Sequence, residues 1–199
     1  MAGKFSKIIF IFAVLTTIMY LFMRKIILFI SFVLVGLNML AVKPVYDFLR
    51  GETSINLEID YSKGEYMGMT LDDFIAYRNE ECLYTQVKEI SYADHWEDSV
   101  KPELQSELLD DMRDHLRKIR VCVINCDCKY TLLITVLLVS GNGDLETECS
   151  FVDKEGNVVK KFNLNSKGGH FGSIENLMED GFENLGELLG KKISRAFPE

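Results

Sequence analysis

The residues best suited to chemistry are the sulfurs of CVINCDC, residues 122–128, where three thiols fall within seven positions. Thiolates two and four residues apart can share a soft metal ion, and a thiolate can also serve as a nucleophile. A structural metal site wants a second cysteine or histidine pair at matching spacing, and the chain has none. Asp127, between Cys126 and Cys128, also opposes the electropositive setting that a nucleophilic thiolate needs. No metal ligand, cofactor or catalytic residue is therefore expected. The same sulfurs suit an oxidising compartment, with Cys122, Cys126, Cys128 and Cys149 as candidate disulfide partners. Counting Cys82, the five cysteines leave one thiol over.

Two other stretches could bind rather than react. SKGGHFGSIEN places Gly168, Gly169, His170, Phe171, Gly172 and Ser173 between a strand and a helix, where free amides could meet an anion or ligand. It lacks the Lys-Ser/Thr pair of a phosphate loop, and its structural account is a tight turn with Ser173 as helix cap. Tyr92, His95 and Trp96 could form an interaction surface, since aromatics concentrate at interfaces. The plainer account makes Trp96 a lid folded over the core. His115, among Asp110, Asp111 and Asp114, reads as part of a solvated helix face.

The elements that would position these residues follow from periodicity. SINLEIDYS alternates Ile55, Leu57, Ile59 and Tyr61 with polar neighbours and predicts a strand. Thr70 and Asp73 have capping-box spacing and open a short helix carrying Leu71, Phe74, Ile75 and Arg78 on one side. Residues 83–98 have no clean period and read as mostly loop. Ser99 as cap, Pro102 in the first turn and the stripe Leu104, Leu108, Met112, Leu116 and Ile119 predict a second helix. The cations Arg117, Lys118 and Arg120 gather at its end, as the helix dipole prefers.

RVCVI, KYTLLITVLLVS, LETECSFVD and VVKKFNLN then read as strands of an antiparallel run. Residues 173–196 form a last helix, burying Leu177, Phe182, Leu185, Leu188, Leu189 and Ile193. The expected fold is α+β: a mixed, mostly antiparallel sheet of four to five strands with about three helices packed on it.

At the amino terminus, the apolar runs Ile8–Met23 and Ile26–Val42 hold sixteen and seventeen residues. A bilayer asks for about twenty. One continuous span would bury Arg24 and Lys25 near its middle, at about 2.5–3.5 kcal/mol each. Met23–Ala41 instead has the cations, apolar core and small terminal residue of an export signal, which makes Met23 the expected start. The expected organisation is a signal peptide or signal anchor over 1–41, a linker over 42–54 and one domain over 55–199. Four of the 22 cations and none of the 30 acids lie in the first 41 residues, which leaves 18 cations against 30 acids, a net charge of about −12. That balance argues against nucleic acid as a partner, and membrane contact is expected only through an uncleaved amino-terminal segment.

The carboxy-terminal pattern carries a resemblance. Asp153, Glu155, Gly156 and Asn157 end one strand. Gly168, Gly169, Phe171 and Gly172 form a turn, and Asp180, Gly181, Gly186, Leu189 and Gly190 punctuate the helix. This arrangement resembles a group of small uncharacterised exported α+β proteins of Gram-negative bacteria, loosely from Ile55 to Phe197. The strand order is similar to that of the amino-terminal domain of the periplasmic TolB protein. The resemblance implies a periplasmic domain that binds a protein or cell-envelope component, and it transfers no catalytic residue. CVINCDC departs from the pattern. The leading expectation is thus a non-enzymatic binding module, with a thiol-dependent enzyme or redox protein using the 122–128 cluster, and a membrane-anchored structural domain, as alternatives.

Overall fold

The computed structural model describes residues 46–84, 91–123 and 128–194, with residues 82–84 described by their backbone alone. The expected signal segment with Met23, the loop residues 85–90 and Cys126 lie outside the described residues. Those described belong to one compact unit, Val45–Glu199.

A short 3-10 turn, Asp47–Leu49, leads into β1, Ser54–Asp60. A two-residue hairpin follows, β2 Glu65–Tyr66 and β3 Met69–Thr70, then α1, Leu71–Tyr84. Helix α2, Tyr92–His95, passes through a π turn, Trp96–Val100, into α3, Lys101–Leu116. Strands β4 Cys122–Val123, β5 Tyr130–Val139, β6 Leu145–Asp153 and β7 Val158–Ser166 precede the long α4, Ile174–Ser194. The fold is α+β, with a mixed sheet carrying helices, as the periodicity predicts.

Strands β5, β6 and β7 form an antiparallel meander in register Leu132↔Phe151 and Cys149↔Phe162. β1 runs parallel to β5, pairing Leu57 with Leu132 and Ile59 with Ile134. RVCVI does not join the expected antiparallel run, because β4 pairs in parallel with the far side of β1, Ser54↔Cys122. With β1 lying between them, β4 and β5 cannot close a hairpin.

Residues 91–98 also differ from the loop expected of them. Ser91, not Ser99, caps the helix: its Oγ accepts the Asp94 amide at 3.2 Å and donates to Asp94 Oδ2 at 2.7 Å. Pro102 then falls well inside a continuous helical run, where a proline removes one amide donor and crowds the carbonyl a turn back. The wide turn before it relieves that crowding, with the Lys101 amide reaching Trp96 O five residues back.

The core forms where the inward faces of β1, β5 and β6 meet the stripe Leu104, Leu108, Met112 and Leu116 of α3 and Met178, Phe182, Leu185, Leu189 and Ile193 of α4. Each such side chain stabilises the fold by roughly 1.5–3 kcal/mol through the apolar surface it removes from water. Glycines bring α3 and α4 unusually close. A Cβ on Gly186 would overlap the Leu108 carbonyl oxygen, and one on Gly190 would stand 2.7 Å from His115 Cβ. His115 is therefore half-buried in this seam rather than on a solvated face. Tyr46 and Leu49, in the stretch expected to be a linker, are buried in the same core.

Candidate functional site

A groove of about 420 Å³ opens where four segments meet: the β2–β3 turn at Met67, α1 at Tyr77 and Arg78, the β5–β6 turn at Gly141, and the loop entering α4 at Ser173. Its first wall comes from EYMGMT. Met67 and Gly68 both have positive φ, 53° and 84°, between the paired residues Tyr66 and Met69. That is the mirror-image two-residue turn of a tight hairpin, for which Asn-Gly is the usual sequence. A methionine in the left-handed region costs roughly 1 kcal/mol. In return its side chain is presented to the groove, 43 % exposed, beside Tyr77 at 45 %. Phe171, next to the lining residue Gly172, is 92 % exposed.

Behind these apolar groups lies a charged network. The Arg78 guanidinium donates to Glu175 Oε1 at 2.8 Å, and the Tyr92 hydroxyl donates to the same oxygen at 2.7 Å. Arg78 also pairs with Glu81 and sits 5.3 Å from the centroid of the Tyr92 ring. The Arg78 and Glu175 side chains are only 17 % and 14 % exposed, so the pair is largely shielded from solvent. Burial works to raise the Glu175 pKa, but hydrogen bonds from Tyr92, Ser173, its own amide and Arg78 outweigh it and hold the carboxyl below its ordinary value. Burial, followed by the hydrogen bond and charge of Glu175, pushes the Tyr92 phenol well up. The network ties α1, α2 and the first turn of α4 into a rigid back wall.

The structure thus joins two regions that the sequence offered separately, through Tyr92 and Glu175. It also redraws one of them. Tyr92 and Trp96 do not form an interaction surface, because both are buried. Trp96 stacks edge-on against Tyr61 and Tyr66, at 5.9 and 5.8 Å between centroids, as the floor under β1 and the hairpin. His95 is half-buried against the Tyr92 ring at 5.8 Å.

In the glycine loop two of the amides are committed within the fold. Gly168 N–H donates to Asp144 Oδ1 at 2.9 Å, and Gly169 N–H to Leu177 O at 3.3 Å. Ser173 Oγ accepts the Asn176 amide at 3.4 Å, the cap expected of it. Two carboxylates crowd the turn: Asp144, held by Lys167 at 2.9 Å, and Asp180, which a Cβ on Gly169 would overlap. With these two amides occupied and two acids adjacent, the Gly168–Gly169 end of the loop is poorly disposed toward an anion. What it offers to solvent is His170 and Phe171, both exposed.

The candidate disulfide set separates. Cys128 is disulfide-bonded, whereas Cys122 and Cys149 are free thiols. Burial, relieved only in part by a hydrogen bond with Thr147, pushes the Cys149 thiol up to about 11. Among the described residues no group of three or more His, Cys, Asp or Glu is placed to hold a metal ion. No described helix is long and apolar enough to cross a membrane.

Sequence reasoning missed Met67, Tyr77 and Glu175. A Met-Gly pair between short strands does carry a hairpin signal, but methionine is not a turn residue and hides it.

No family model matches the chain, and none of the curated proteins does. Among solved structures it is similar to a dodecamer of a PelC variant from Paraburkholderia phytofirmans, with 13 % identity over 71 % of this chain and 88 % of that one, at a TM-score of 0.35. A structure described only as an uncharacterized protein shares 19 % identity over 45 % of this chain and 63 % of that one, at 0.33. A Xanthomonas campestris protein of the family model DUF330 shares 16 % identity over 54 % and 64 %, at 0.29. None of these three is described as a TolB domain, and the likeness to TolB expected from the strand order is not shown.

Proposed function

We propose that this protein is an exported, non-enzymatic binding module that grips an apolar segment of a partner protein in the groove lined by Met67 and Tyr77, with the exposed Phe171 beside it. Met67 carries the reading. It occupies a turn position that Asn or Gly would fill more stably, and what the strained backbone gains is a flexible apolar side chain set beside an exposed tyrosine. Strained positions held by their surroundings concentrate at binding sites, and Met and Tyr are suited to protein interfaces. The Arg78–Glu175–Tyr92 network supports the same reading, because it fixes the wall behind the contact residues and limits the ordering cost of binding.

The export part rests on the Met23–Ala41 pattern, and the non-enzymatic part on the state of the sulfurs. Cys128 is engaged in a disulfide, and the buried Cys149 holds its proton at neutral pH. Fast, selective alkylation of Cys122 at neutral pH would favour a thiol enzyme instead. For the groove, a benzophenone amino acid at position 77 or 171, in the full chain in its native cells, is expected to give the same discrete protein adduct. Position 158 on β7, 57 % exposed and outside the groove, is the control. Equal adducts from position 158 would refute the groove.

A further inference from the structure

A second cleft, built from none of the groove residues, lies between the end of α3 and the edge strand β4. It has a volume of about 550 Å³. Its floor is apolar, from Val121 and Val123, which are themselves buried. Its rim is cationic: Arg113, Arg117 and Arg120 all line it. In a chain of net charge −8, three guanidiniums around one cleft, with Asp114 the one carboxylate among its described lining residues, reverse the prevailing sign there.

A helix end attracts cations by itself, so the rim must be weighed against that simpler cause. Arg113 and Arg117 lie in or beside the last turn and satisfy the dipole. Each also faces an acid one turn back, Asp110 at 3.4 Å and Asp114 at 3.8 Å, but these pairs are exposed and weak. Arg120 is the residue the dipole does not require. Val121 N–H bonds Leu116 O and Arg120 N–H bonds Arg117 O, the two bonds of a Schellman close, with Arg120 at the position that glycine normally takes. Its φ of 59° and ψ of 32° are left-handed. Among the described residues only Met67 and Arg120 are non-glycines with positive φ, and each borders one of the two clefts.

We propose that this cleft binds an anionic amphiphile, a molecule with an apolar ring or chain lying on Val121 and Val123 and a phosphate, sulfonate or carboxylate head held by Arg113, Arg117 and Arg120. Guanidinium forks match such heads in geometry as well as charge, and a small apolar floor with few convergent polar groups is the ordinary composition of a ligand site.

Cys122 lies within the cleft and has a free, exposed thiol, which makes it a built-in reporter. The full chain is treated with an anionic and a cationic methanethiosulfonate, labelling at Cys122 is read by peptide mass, and rates are normalised to those of 2-mercaptoethanol. The anionic reagent is expected to gain about tenfold on the cationic one, in line with charge focusing in a lined cleft. 2-Naphthyl phosphate is expected to protect Cys122, and inorganic phosphate at equal concentration to protect it far less. Arg120→Asn, which suits the left-handed backbone and should melt no lower than the wild type, is expected to lose both preference and protection. A cationic preference, equal protection by inorganic phosphate, or protection unchanged in Arg120→Asn would each overturn the proposal.

Discussion

Glycine serves one end in the seam between α3 and α4 and the same end in the loop that enters α4, although the two stretches look different in sequence. Gly186 lets a helix backbone reach a neighbouring carbonyl, and Gly169 lets a turn close over the Asp180 carboxylate. Neither position leaves a free amide for a ligand. The loop differs from the seam in what surrounds its glycines: Phe171 stands 92 % exposed, whereas Leu185 and Leu189 of the seam are buried. The proposed contact residue Phe171 is thus an exposed side chain on a closely packed turn.

The largest effect is expected at Gly186. Gly186→Ala forces a methyl into the Leu108 carbonyl, and a loss of about 3 kcal/mol in denaturant unfolding is expected, the upper range for overpacking. An unchanged midpoint would mean that the helices do not approach so closely.

Glu175→Gln comes next. It leaves Arg78 shielded from solvent without its main counter-charge, and the expected loss is about 2 kcal/mol, reduced from the fully buried case because both side chains keep some contact with water. Because the folded-state pKa of Glu175 is depressed, its contribution is present above the unfolded carboxyl value near 4.3 and disappears as pH falls through the lower folded value. Wild-type stability should therefore fall more steeply in acid than that of the variant, as measured by thermal melts from pH 6 to pH 3.

Met67→Asn acts in the opposite direction on stability. Asparagine suits the left-handed turn, so the variant should gain up to about 1 kcal/mol while losing the partner adduct from position 77. The smallest effect is expected further along α4. Burial first, then the acids of α3 and neighbouring turns, raise the pKa of Glu179 and of Glu183. Raised carboxyls weaken the fold at neutral pH and cease to do so as pH drops through their folded values, opposite in sign to Glu175. Glu183→Gln should add about 0.3–0.5 kcal/mol at low salt and less at high salt.

The regular elements were legible because one buried face sets a period. The stripe Leu104, Leu108, Met112 and Leu116 and the alternation of β6 both survive in the structure. The parallel pairing of β4 with β1 was not legible, since a two-residue strand has no period and its partner lies more than sixty residues away. The burial of Trp96 was the plainer reading of it and holds, but its helical setting was hidden by the π turn, which breaks helical spacing there. Of the groove and its border, the loop, its Ser173 cap and the neighbouring Phe171 could be read locally. The Arg78–Glu175–Tyr92 network could not, because its members come from three helices and meet only in the folded chain.

The most direct measurement joins stability and contact in one variant. Phe171→Ser is made in the full chain carrying the benzophenone at position 77, and thermal melting and adduct yield are measured side by side. Phe171 is almost wholly exposed, so the melting midpoint should move by no more than an ordinary surface substitution allows, about 0.5 kcal/mol, while the adduct is lost. An adduct that persists at full yield, or one lost only together with the fold, would contradict a groove in which exposed side chains do the binding.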